Sequence, residues 1–149
     1  MFTTTCWQPD CHFKLKPHRH YSLPGKPTPL ARPRLGKNNV YNPQKQAMIA
    51  HGYLLNTQHH QEPSDQPVGI HVLFYFKEPL THKKKHDSSA PARHYAHTKK
   101  PDLSNLVKYI EDVANGILYL DDQQIVEIHA RKLYGQERTD LILYPYSLG

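Results

Sequence analysis

KPDLSNLVKYIEDVANGILYLDDQQIV, residues 100–126, is the stretch that decides how this chain folds. Within it Leu103, Leu106, Val107, Ile110, Val113, Ala114 and Ile117 recur at i, i+3, i+4 and i+7, the spacing of one buried helical face. At about 100° per residue they fill a single arc roughly 120° wide. The pattern predicts a helix from Asp102 to Asn115, stopped by Gly116 at the position after the cap, where a left-handed residue is favoured. Asp102, Asn105, Lys108 and Asp112 fall together on the opposite, polar side. Beyond the turn, Asp121 and Asp122 precede a strand expected over Ile125–Leu133, with another over Leu141–Tyr144. Gly135 to Arg138 reads as the turn of a hairpin joining them.

Upstream, Val68–Phe76 alternates, with Val68, Ile70, Val72, Phe74 and Phe76 on one side and His71 and Tyr75 on the other. That is a strand with one face well buried. Pro79–Lys100 has almost no aliphatic residues and reads as a mobile basic loop carrying Lys83, Lys84, Lys85, Arg93, Lys99 and Lys100. A helix is expected over Pro43–His59, with Asn42 as its cap and Pro43 as its first residue. Gly52 weakens it. Residues 23–43 hold five prolines and are extended or turning. Residues 1–20 show no period and form a leader containing Cys6, Cys11, His12, His18 and His20, a set that could hold zinc although its spacing fits no common finger.

At 149 residues the chain accommodates one domain. No window carries the roughly 18 apolar residues of a membrane span, and the first 20 lack the apolar centre of a secretory signal. The two cysteines both lie in the leader, so no disulfide scaffold is expected and a reducing, cytoplasmic setting suits the chain. Net charge is +6, but it is divided: residues 1–100 hold 15 Lys/Arg and 5 Asp/Glu, and residues 101–149 hold 4 and 8. A basic arm joined to an acidic segment suits a protein that grips a polyanion and keeps carboxylates for a cation. A solvated surface with a basic leader has the same composition.

Adjacent carboxylates such as Asp121 and Asp122 repel unless a cation offsets them. Mg²⁺, a hard ion that binds one or two carboxylates together with substrate phosphate, is the natural candidate. Asn105 could add an oxygen ligand or a hydrogen bond, and Lys108 could stabilise charge building on a phosphate. An ordinary polar helix face followed by an Asp-Asp turn would show the same spacing.

The run KPDLSNLVK, then Asp112, Asn115-Gly116 and DDQQIV resembles the signature of RusA-type Holliday-junction resolvases, KPDxDNLxKxxxDxLNGxxxxDDxQVV. GKPTPLARPR and VYNP upstream resemble that family's first strand and its turn into the first helix, so the likeness spans about residues 21–146. It implies an α+β fold, a small mixed sheet packed with two main helices in a single domain, residues 21–149 behind the 1–20 leader. It further implies a cytoplasmic, nucleoid-associated homodimer of bacterial or phage origin, using Mg²⁺ and no nucleotide cofactor to nick two opposed strands of a four-way DNA junction in recombination and repair. By position, Asp102 and Asp122 match metal-binding, catalytic carboxylates, Asp121 is a further metal-ligand candidate, and Lys108 matches the catalytic lysine. Asn105 and Asp112 match supporting positions. Arg32, Arg34, Lys83, Lys84, Lys85, Arg93, Lys99 and Lys100 would hold DNA phosphates.

One position departs from the pattern. Ser104 stands where the family has a second aspartate, removing one formal charge and one strong ligand. On an ideal helix that position lies about 160° from Asp102, so the two could converge only if the helix began later. The departure raises an alternative: a scaffold of the same kind that binds branched DNA without cutting it. An interaction protein built around a zinc-binding leader is a third reading.

Overall fold

In the computed structural model, residues 18–80 and 96–146 are described. Strand β1 (Arg19–Pro24) leads through the proline-rich stretch to a two-residue ribbon, β2 (Arg34–Leu35) with β3 (Val40–Tyr41), and then to helix α1 (Lys45–Gln58). Strand β4 (Val68–Phe76) and helix α2 (Leu103–Ala114) follow, then a short 3₁₀ turn (Asp122–Gln124), β5 (Ile125–Tyr134) and β6 (Arg138–Pro145). The four long strands form one mixed sheet in the order β1-β6-β4-β5, with β5 parallel to β4 and the other pairs antiparallel. The expected α+β class, a small mixed sheet with two helices in one domain, is what forms.

Both helices lie close to where the periodicity puts them. Asn42 is not the cap and Pro43 is not helical: the helix starts at Lys45 with Gln44 as its cap residue and no side-chain capping bond, and Asn42 Oδ1 accepts the Gln44 amide at 2.8 Å in the turn that precedes it. Gly52 is buried against the turn after α2: a Cβ there would stand 3.2 Å from Ile117 Cδ1. The glycine that lowers helix propensity thus lets the two helical segments approach closely.

The sheet departs from expectation in two ways. β5 and β6 do not form a hairpin, because β4 lies between them. β4, reading VGIHVLFYF, is the most apolar strand and takes the centre. β5 mixes Glu127, His129, Arg131 and Lys132 into its sequence and takes the edge. Residues 135–137 therefore cross the end of β4, and the Gly135 amide donates to the Phe76 carbonyl at 2.8 Å. Consequently β4 is covered on both faces, not one. Its Val68, Ile70, Val72, Phe74 and Phe76 join Leu55, Leu106, Tyr109, Ile110 and Val113 in the core. On the other side His71 and Leu73 are buried too, and Tyr144 lies over Gly69 so closely that a Cβ there would clash with the edge of its ring. The Tyr144 hydroxyl donates to Glu127 Oε2 at 2.8 Å.

The loop expected over 79–100 falls mostly on residues 81–95, outside the described residues, as do Lys83, Lys84, Lys85 and Arg93 and the leader's Cys6, Cys11 and His12. Its last part is fixed in place: Ala96 bridges to Leu133 and the His97 amide donates to the Lys132 carbonyl at 3.1 Å. His20, grouped with the leader in sequence, belongs to β1.

Candidate functional site

Helix α2 carries chemistry at both ends. At its start the strap 96–101 runs along β5, with the His97 ring stacked on Phe76 at a centroid distance of 4.3 Å. The Lys132 ammonium donates to the Lys99 and Pro101 carbonyls at 2.6 and 2.7 Å, and the Lys100–Pro101 peptide is cis. Asp102 then caps the helix with extended backbone, φ −69° and ψ 140°, but its carboxylate makes no capping hydrogen bond. An aspartate at this position ordinarily accepts an amide from the first turn. Here the carboxylate is exposed and left to other ligands.

Because Asp102 is not helical, the 160° separation from position 104 does not apply. Position 104 is the second helical residue after the cap. Ser104 is exposed there. Asn105 is half buried, and its main-chain carbonyl accepts the Leu30 amide at 2.9 Å. That bond, with the Gln44 side chain clamping Pro29 and Ala31 at 2.8 Å each, brings the segment carrying exposed Arg32 and Arg34 to the same end of α2 as exposed Lys99 and Lys100.

The far end of α2 is acidic. Gly116, at φ +79°, ends the helix as expected, and Tyr119 folds back so that its hydroxyl donates to the Glu111 carbonyl at 2.8 Å. Asp121 caps the 3₁₀ turn: its Oδ1 accepts the Gln123 amide at 3.1 Å, and its own amide donates to Gln124 Oε1 at 2.8 Å. Gln124 Nε2 in turn donates to the Ser64 and Gln66 carbonyls at 2.7 and 2.9 Å. The Gln123 amide and a hydrogen bond from Asp122 hold the Asp121 carboxyl below its ordinary range. Asp122 is pushed up, first by that shared hydrogen bond and then by burial and the charges of Asp121 and Asp112. Half-buried Glu111 is raised by burial, then by Asp122 and Asp112, while Lys108 pulls it down. Burial, then Glu111, Asp122 and Asp112, raise the Tyr119 phenol.

Asp112, Asp121 and Asp122 thus lie within electrostatic range of one another or of Glu111, and Lys108 within range of Glu111. The fold does not bring Asp102 to them. Asp102 and Asp112 are separated by about 15 Å of helix axis, and Asp102 is not among the groups that shift Asp122, Glu111 or Tyr119. Among the described residues no three His, Cys, Asp or Glu side chains of one chain come together as a metal site. The donors nonetheless suit a hard cation: exposed carboxylates, one uncapped, the others at a helix C-terminus with no basic residue in its last turn. The partial negative charge of that helix end makes such crowding unfavourable until a cation offsets it.

Two contributors were not read from sequence. Gln124, three residues after Asp121, completes a capping box whose D-x-x-Q spacing is a recognisable signal. Lys132 lies inside a strand pattern and gives no signal of its own.

Comparison with known proteins places this geometry in context. The family described as Endodeoxyribonuclease RusA matches residues 24–143. The uncharacterized protein YqaN of Bacillus subtilis (strain 168) is 30% identical over 125 residues, covering 78% of this chain and 88% of that protein.

Proposed function

Because the chain belongs to the RusA endodeoxyribonuclease family, whose members resolve Holliday junctions, we propose that it is a Mg²⁺-dependent homodimeric nuclease that nicks opposed strands of a four-way DNA junction. The observation that carries this reading is Asp102, a helix cap whose carboxylate the backbone does not use. In a twofold dimer, antiparallel juxtaposition of the α2 helices sets Asp102 of each protomer against Asp122 of its partner, giving two equivalent sites. Asp102 and Asp122 hold the ion, and Asp121, already committed to its turn, assists by keeping Asp122 in place. Bound there, Mg²⁺ would supply Lewis acidity to the scissile phosphate.

The chain's own residues do the rest. Lys108, exposed midway along α2, offers its ammonium to the charge that builds on the phosphate. Asn105 fixes the first turn of α2 against Leu30, and Asp112 orients Lys108 and shares the cation's field. Arg32, Arg34, Lys99 and Lys100, with Lys83, Lys84, Lys85 and Arg93, grip phosphates of the junction arms. Binding then weakens steeply as salt rises. Such a protein acts in the cytoplasm, on the nucleoid, in recombination and repair.

A second reading rests on Ser104: with one carboxylate fewer, the same dimer binds branched DNA without cutting it. A labelled four-way junction incubated with and without Mg²⁺, beside a linear duplex of the same sequence, separates the two. The nuclease reading expects Mg²⁺-dependent nicks in the junction alone, lost in Asp122→Asn; nicking unchanged by that substitution would contradict it. Tight binding without nicks, and cutting that appears in Ser104→Asp, would favour the second reading.

A further inference from the structure

Lys132 lies on the helix-facing side of β5, in register with fully buried Phe74 and two residues from both Ala130 and Tyr134. A cationic head placed toward an apolar core is costly unless its donors are satisfied. Here two of them are, by the Lys99 carbonyl at 2.6 Å and the Pro101 carbonyl at 2.7 Å. The second acceptor matters most. The Pro101 carbonyl belongs to the planar peptide unit that also carries the Asp102 amide, so holding that oxygen fixes the plane from which Asp102 departs. The strap has an independent attachment at its other end, through the Ala96–Leu133 bridge, the His97 amide and the His97 ring on Phe76. Losing the Lys132 bonds therefore releases residues 99–101 while 96–97 stay anchored.

We propose that Lys132 is a positioning residue for Asp102: by binding the Lys99 and Pro101 carbonyls it fixes where the uncapped carboxylate stands and couples it to the phosphate-gripping Lys99 and Lys100. This rests on the reading of Asp102 as a metal-binding carboxylate. A backbone acceptor cannot be removed by mutation, but its donor can. Outer partners of this kind typically change metal affinity or activity by about 10- to 100-fold when lost, because small misplacements of a reacting constellation are expensive.

The test uses full-length protein, wild type beside Lys132→Met and Lys132→Gln, with two readouts. The first is the Mg²⁺ concentration giving half-maximal nicking of a four-way junction. The second is the Mn²⁺ concentration that broadens the amide resonances of Leu103 to Asn105, which needs no turnover. Both requirements are expected to rise about 10- to 100-fold in Lys132→Met and less in Lys132→Gln, which keeps one donor group. A folded variant with a wild-type metal requirement, whatever its thermal midpoint, would overturn the role of Lys132. Should the Met variant not fold, the Gln variant decides. Wild-type protein showing neither nicking nor Mn²⁺ broadening would overturn the nuclease reading and this inference together. A nicking wild type with unchanged variants overturns the inference alone.

Discussion

Asp102 and Asp121 are both helix caps, yet the backbone uses them differently. Asp121 accepts the Gln123 amide at 3.1 Å, whereas Asp102 makes no capping bond. A working cap contributes about 1 kcal/mol; an exposed side chain without partners contributes within about 0.5 kcal/mol. Urea denaturation is therefore expected to show Asp121→Ala less stable than wild type and Asp102→Ala nearly unchanged, even though the latter is expected to abolish nicking. Equal losses in the two variants would show that the Asp102 carboxylate serves the helix after all. The same contrast separates the neighbouring pair: Asp121 is occupied by its turn, whereas Asp122 is not the cap and is tied to Asp121 by their shared hydrogen bond. Nothing in the bare Asp-Asp dipeptide distinguishes them; the glutamine three residues on does.

Helices α1 and α2 meet through a polar contact inside their apolar seam. His51 Nδ1 lies 2.7 Å from the Tyr109 hydroxyl, with the rings edge to face at 5.7 Å. Burial holds the imidazole below its ordinary range, and His97 is lowered likewise, by burial and then by Lys132. Both are kept neutral in the fold while the unfolded chain takes up protons near pH 6.5. Their stabilising contribution is thus complete above about pH 6.5 and is lost as pH falls from there toward the depressed folded values. The thermal midpoint should drop between pH 7 and 5, and drop less in His51→Gln; parallel curves would contradict this role. Among the elements, α2 was legible because six apolar residues repeat at helical spacing over its length. The β5–β6 pairing was misread because closeness in sequence favours a hairpin, while β4, arriving from far upstream, competes for both partners with a more apolar surface. The first strand lies at Arg19–Pro24, ahead of the GKPTPLARPR stretch matched to it in sequence; RHYSLP gives too short a pattern to read, and β6 on one side and His59, whose Nδ1 is 2.6 Å from the Tyr21 hydroxyl, help bury Tyr21 and Leu23.

Across the whole molecule, the division of charge becomes a division along one helix. Lys99, Lys100, Arg32 and Arg34 collect at the start of α2, and Glu111, Asp112, Asp121 and Asp122 at its end, with Asp102 among the basic groups. The family resemblance pairs Asp102 with Asp122 as metal-binding carboxylates; the length of α2 separates them within one chain, and in the proposed dimer a second copy would restore the pairing. That sharing is the centre of the account, and mixing two inactive variants tests it. Asp102→Asn and Asp122→Asn protein, each unable to nick a four-way junction alone, are combined one to one and allowed to exchange subunits. Each mixed dimer then has one site with both carboxylates replaced and one with both intact, so about a quarter of wild-type sites are recovered at random exchange. Mg²⁺-dependent nicking at about that level is the predicted result. A wild type that nicks and a mixture that stays inactive would place both carboxylates of each site on a single chain and contradict the account.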